Sequence, residues 1–162
     1  MLLWRSVRTE FAWEGSWRDI CVREVNLAAW QAAVQALIRE GLRGEFTLNG
    51  VRQELPFDLR EVFGISCERG ALWCVSVVGL TLYCHFFDEG EIEFDLDPRE
   101  VTGQERLDAI VNFMRILAVA TGRPALMTPE NMHDVPFIRV APTGDAEYLS
   151  SDGFFQDLAR QR

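Results

Sequence analysis

Apolar and polar positions alternate most strictly between residues 91 and 97, where Glu91, Glu93, Asp95 and Asp97 are interleaved with Ile92, Phe94 and Leu96. Side chains on a strand point to opposite faces in turn, so the pattern predicts a strand over 91–96 with one carboxylate face and one apolar face. Pro98 stops it. The runs 71–78 and 80–87 are the most apolar and predict strands in the middle of a sheet. Val78-Gly79 serves as a two-residue loop between them, and Asp88-Glu89-Gly90 as a three-residue hairpin loop before 91–96.

That register sets Cys74 beside Tyr83 and Ser76 beside Thr81, then Tyr83 beside Asp95, His85 beside Glu93 and Phe87 beside Glu91. One face carries Trp73, Val75, Val77, Leu82, Cys84, Phe86, Ile92, Phe94 and Leu96; the other carries the carboxylates with Thr81, Tyr83, His85 and Phe87. A one-residue slip would invert strand 80–87 relative to its neighbours.

The rest of the chain follows the same logic. Residues 3–13 and 17–25 are expected as a hairpin across Glu14-Gly15-Ser16, and 44–49 with 51–55 as a second across Asn49-Gly50. Leu27, Trp30, Val34, Leu37 and Ile38 form a helical stripe, capped by Asn26 and ended by Gly41. A short helical turn is expected at 58–63. A long helix is expected over 103–121, where Leu107, Ile110, Val111, Met114, Leu117 and Ala118 recur at helical spacing. Thr102 and Glu105 have capping-box spacing there, and Gly122 and Pro124 end it. Residues 125–128 and 137–141 suggest edge strands. The expected fold is α+β: one domain over 1–142, with a mostly antiparallel sheet of about six to eight strands and two main helices on one face. Residues 143–162 are expected as loop or tail, with Phe154, Phe155 and Leu158 available for a short docking helix.

Charge sharpens this picture at one place. The net charge is −9, and residues 88–108 hold nine acidic residues against two arginines. Clustered arginines that could neutralise phosphates are lacking, which argues against nucleic acid and against an anionic membrane surface. No apolar stretch is long enough to span a bilayer, and the first residues lack the apolar core of a signal peptide, so a cytoplasmic location is expected. Cys21, Cys67, Cys74 and Cys84 include no Cys-x-x-Cys pair, so free thiols are expected and neither a metal nor a cofactor is called for.

Candidate chemistry is sparse. Carboxylates two apart on a strand are about 6.7 Å apart, and in water each neighbouring pair repels by only about 0.6 kcal/mol. The row is therefore tolerable as a solvated face, and charge also suits an edge strand. Asp95-Leu96-Asp97 could hold a divalent cation, but no phosphate-cradling loop accompanies it. His85 opposite Glu93 would have its pKa raised. Glu130-Asn131-Met132-His133 has ligand spacing only on a helix, and it reads here as loop polarity. Trp13 and Trp17 flank the first turn, either packing across it or forming an exposed tip.

In size, acidity and class, the chain resembles the single-domain immunity proteins of bacterial toxin systems, which lack catalytic motifs and cover a toxin's basic surface. The resemblance implies a non-catalytic protein-binding module. Glu91, Glu93, Asp95 and Asp97 would attract a basic partner, and Tyr83, His85 and Phe87 would supply contact area. Two alternatives stand beside it. One is an enzyme or a small-ligand or metal-binding protein using the same outer face. The other is a self-associating structural protein, with a homodimer formed through the aromatic tip.

Overall fold

In a computed structural model, which describes residues 1–66 and 70–149, nine strands form one antiparallel sheet. They are β1 (Arg18–Arg23), β2 (Gly44–Leu48), β3 (Val51–Gln53), β4 (Ala71–Val77), β5 (Leu80–Cys84), β6 (Glu91–Leu96), β7 (Ala125–Pro129), β8 (Ile138–Val140) and β9 (Ala146–Tyr148). The helices are α1 (Trp4–Val7), α2 (Leu27–Arg39), α3 (Leu59–Ser66) and α4 (Gln104–Thr121), with 3₁₀ turns at Arg8–Phe11 and Pro98–Glu100. The fold is α+β, as expected, with more strands than the pattern suggested. The expected tail helix at Phe154, Phe155 and Leu158 lies outside the described residues.

The strand order is β3-β2-β4-β5-β6-β1-β7-β8-β9. The acidic strand β6 is therefore fifth of nine, at the centre of the sheet and not at an edge. Its apolar side explains the placement. Ile92, Phe94 and Leu96 are at most 1% exposed, and Phe94 meets Phe113 of α4 edge-on at 5.0 Å. Trp73, Val75, Val77, Leu82, Cys84 and Phe86 are buried in the same core. The strand 125–128, expected at an edge, is interior: β7 pairs with both β1 and β8. The segment after Pro142, expected as loop, contributes β9.

Turn chemistry fixes much of the register. Asn49 and Gly50 both take positive φ (49° and 77°), as do Val78 and Gly79 (46° and 75°), the geometry that suits two-residue hairpins. Cys74 pairs with Tyr83, Ser76 with Thr81, and Tyr83 with Asp95. Beyond Cys84 the expected ladder breaks. Phe86 adopts a left-handed φ of 55° and stacks on Trp30 at 5.4 Å. Glu91 bridges to Asp88, not Phe87, so one extra residue bulges out of the β5 side.

Two local expectations fail for physical reasons. The Thr102 capping box does not form; Gly103 is the N-cap, and it makes no side-chain cap bond. Gln104 instead accepts from the Trp4 N–H and donates to the Leu2 carbonyl, both at 2.8 Å, tying the N-terminus to α4. Residues 4–11 are helical turns and not a strand. Trp4, Val7 and Phe11 follow helical spacing and face the core.

Arg18 explains the rest of that region. Its side chain is 5% exposed and gathers the preceding chain around it. It donates to the carbonyls of Glu10 (2.6 Å), Ala12 (3.0 Å) and Trp17 (2.9 Å), and it holds the Glu14 carboxylate through two bonds of 2.9 Å. This grip lowers the Glu14 pKa to about 2. Residues 10–17 thus wrap a buried guanidinium, where a hairpin partner for β1 was expected.

Arg18→Met should therefore orphan several carbonyls at once. The expected loss of stability is about 3 kcal/mol by urea denaturation. A loss below about 1 kcal/mol would show that the wrap is not held by Arg18.

Candidate functional site on the outer sheet face

The strands β1 and β6 place six polar or charged side chains together on the face away from the helices. Their pairing sets Asp19 beside Asp95, Cys21 beside Glu93 and Arg23 beside Glu91. The intervening Ile20 and Val22 are fully buried in the core. Asp19 and Cys21 therefore share the carboxylate face by simple alternation.

The β7–β8 connection then folds back over this patch. Glu130 exchanges bonds with Trp17, its Oε2 accepting from the Trp17 N–H at 3.1 Å and its own N–H donating to the Trp17 carbonyl at 3.2 Å. Asn131 takes a left-handed φ of 58°, and its N–H donates to Asp19 Oδ2 at 2.8 Å. Arg23 clamps Asp134 at 2.8 Å. These anchors turn His133 inward. Its Nε2 lies 3.1 Å from Asp19 Oδ2 and 4.0 Å from Glu93 Oε2, and its Nδ1 lies 2.6 Å from Glu91 Oε1. The Glu130–His133 segment is thus more than loop polarity, because it delivers a histidine to the acidic strand.

The second histidine closes the other end of the row. His85 meets Asp95 at 3.4 Å, not the expected Glu93, because the ladder is broken at Phe86. Phe87, 71% exposed, stacks on the His85 ring at 4.9 Å. Tyr83 packs against Trp17 at 5.4 Å. Asp97 does not join the cluster. It caps the Pro98–Glu100 turn and pairs with Arg99 at 2.7 Å. The cation pair imagined at Asp95 and Asp97 is therefore not assembled. Trp13 lies under the same Arg99, 4.0 Å from ring centre to guanidinium carbon. The first hairpin is absent, so Trp13 and Trp17 do not flank a hairpin turn, although Trp13 is 45% exposed.

The electrostatics are unbalanced. Asp19, Glu91, Glu93 and Asp95 have side chains 3–24% exposed, and among the described residues the basic groups within 4.0 Å of them are the two imidazoles. Burial raises the Asp19 pKa against the opposing bonds from Asn131 and His133. Burial also raises that of Glu93, with the charges of Asp19, Glu91 and Asp95 adding to it. The Asp95 hydrogen bond raises the pKa of His85. Two oxygens, Glu91 Oε1 and Asp95 Oδ1, are buried without a hydrogen-bond partner among the described residues.

Nucleophilic chemistry does not fit this arrangement. Cys21, His133 and Asp19 are adjacent, but Cys21 is 0% exposed and burial pushes its thiol up to about 12. A protonated thiol that substrate cannot reach is no nucleophile. Cys84 is equally buried, and its pKa is likewise raised. Two surface grooves, one between α2 and α4 (about 340 Å³) and one where the N-terminus meets α4 (about 370 Å³), lie on the helical side. The outer-face residues that can hold an ion are Cys21 with Glu91 and His133, and Asp19 with Glu93 and His133; within each set the ligand atoms lie within 4.8 Å of one another.

Three of these residues, Asp19, Cys21 and His133, were missed from the sequence. The first two had a signal, since Asp19-Ile20-Cys21-Val22-Arg23 alternates as 91–97 does. His133 is one of two histidines in the chain, but nothing local placed it over β6. No protein-family model, curated protein or solved structure matches this chain, so its own residues carry the functional argument.

The raised Glu93 pKa carries a definite sign. A carboxyl with a folded-state pKa above its unfolded value contributes stability that is present below the unfolded value and lost as pH rises through the folded one. Glu93→Gln should therefore melt higher than the parent protein at about pH 8, and the gain should vanish below about pH 4. A melting temperature unchanged or lowered at about pH 8 would contradict an electrostatic cost at this residue.

Proposed function

We propose that this protein is a non-catalytic binding module that takes a basic protein partner on the outer sheet face. One observation carries the reading: Asp19, Glu91, Glu93 and Asp95 are held partly or wholly buried with two imidazoles as the basic groups beside them. An incoming guanidinium would supply the missing charge and pair with a carboxylate in bidentate geometry. Glu93 and Asp95 are each 24% exposed, so an arginine or lysine of a partner can reach them. Exposed Phe87 stacks on the half-buried His85 beside them, the kind of surface that anchors a contact once charge has steered the encounter. Acidity and class agree with the resemblance to immunity proteins, whose partners present basic surfaces.

A labelled arginine-rich peptide tests this without a known partner. Its affinity should fall steeply with salt, and the double variant Glu93→Gln/Asp95→Asn should weaken it by at least about tenfold. Glu61→Gln/Glu105→Gln removes two exposed acids elsewhere, on α3 and α4, and should leave the affinity within about twofold. Equal losses from both double variants would mean that the peptide reads net charge and not this face, and the proposal would fail.

A further inference from the structure

We propose that Cys21, Glu91 and His133 form a binding site for a single zinc-class divalent cation, with Asp19 as the carboxylate that orients the histidine. Cys21 Sγ, a Glu91 carboxylate oxygen and a His133 ring nitrogen lie within 4.8 Å of one another, with Glu91 Oε1 2.6 Å from His133 Nδ1. They come from β1, β6 and the β7–β8 connection, so only the tertiary fold assembles them.

Two independent observations point to a ligand at this spot. Cys21 is 0% exposed, and its thiol has no hydrogen-bond partner among the described residues. Glu91 Oε1 is a buried carboxylate oxygen that also lacks one. Both face the same imidazole nitrogen.

The hydrogen bonding of His133 sharpens this further. Asp19 Oδ2 accepts the Asn131 N–H at 2.8 Å, so it acts as an acceptor, and the imidazole proton facing it belongs on Nε2. Nδ1 then presents its lone pair 2.6 Å from Glu91 Oε1. Two acceptors at that distance need a positive charge between them. Glu91 Oε1 has no hydrogen-bond partner among the described residues. A metal ion held by both atoms and the sulfur would supply that charge.

The ligand chemistry selects the ion. One thiolate, one imidazole and one carboxylate suit zinc and its cobalt analogue, and they suit magnesium or calcium poorly. Tetrahedral coordination places ligand atoms about 3.2–3.7 Å apart, so His133 and Glu91 would separate by under about 1 Å on loading. Three protein ligands leave a fourth position open. Metal-bound histidines usually donate their second ring N–H to a carboxylate, and Asp19, its side chain 3% exposed, stands at that place. The set Asp19, Glu93 and His133 therefore serves as support for this one site and not as a second one. Loading converts the Cys21 thiol to a thiolate and releases its proton.

The test uses the full chain, stripped of metal and titrated with Zn²⁺ by calorimetry and with Co²⁺ by absorption. One equivalent of each should bind, and Co²⁺ should give an intense near-ultraviolet thiolate-to-cobalt band. Cys21→Ser should abolish that band, whereas Cys67→Ser and Cys74→Ser should keep it. Asp19→Asn should keep the band while weakening Zn²⁺ by about 10–100-fold. If Cys21→Ser does not fold by circular dichroism, His133→Gln, in a loop, carries the test and should lose stoichiometric binding. The absence of stoichiometric binding to the parent protein, or a cobalt band that survives Cys21→Ser or depends on Cys67 or Cys74, would overturn the site. These variants leave Glu93 and Asp95 in place, so failure here leaves the partner reading standing.

Discussion

The structure depends on burying the apolar side of β6 at the middle of the sheet. Ile92, Phe94 and Leu96 are sealed against the helical layer, with Phe94 edge-on to Phe113 and tilted against Trp73 at 6.2 Å. Each such side chain contributes about 1.5–3 kcal/mol through removal from water. Strand alternation then leaves no freedom for Glu91, Glu93 and Asp95, which must stand on the outer face with strands on both sides. A carboxylate row in mid-sheet is a different physical object from the same row at an edge. In water, neighbours about 6.7 Å apart repel by about 0.6 kcal/mol; at the effective dielectric of a partly buried site the figure is about 2.5 kcal/mol.

The surrounding chain offsets this cost only in part. The β7–β8 connection brings His133 over one end, and the bulge at Phe86 leaves His85 beside Asp95 at the other. The arginines help little: Arg23 feels the Glu91 charge but is clamped to Asp134, Arg99 is committed to Asp97, and Arg18 points to the opposite side, into the N-terminal wrap. Burial, with two imidazoles against four carboxylates, leaves Asp19 and Glu93 with raised pKa values, and two oxygens lack hydrogen bonds among the described residues. A sheet optimised only for stability would place neutral residues here. The arrangement is better suited to a site whose balance is completed by something that binds.

The Asn49-Gly50 and Val78-Gly79 hairpins, the long helices and the two-faced strand were legible in the sequence, because each is set by local rules. Asn49-Gly50 and Val78-Gly79 supply the positive φ of tight turns, Asn26 caps α2 through the Ala29 N–H, and Gly122 ends α4 in left-handed geometry. The N-terminal segment misled because Trp4, Val7 and Phe11 admit a helical period as well as a loose strand reading. Its wrap is dictated by Arg18, whose burial no local pattern shows. The site was half legible. Glu91, Glu93 and Asp95 follow from alternation, and Asp19 and Cys21 could have been added by applying the same rule to β1. His133 could not, because its place depends on a chain reversal that brings residue 133 against residues 19 and 91.

The central claim is that the outer face of β6 holds ionised carboxylates against an electrostatic penalty. A carboxyl-detected NMR titration of Asp19 and Glu93 measures this most directly. Both should titrate above the ordinary values for their side-chain types, with Glu93 shifting down toward its ordinary value when Asp19 is replaced by asparagine. Titration of both groups at or below those ordinary values would contradict the account, because the row would then be as comfortable as a solvated surface.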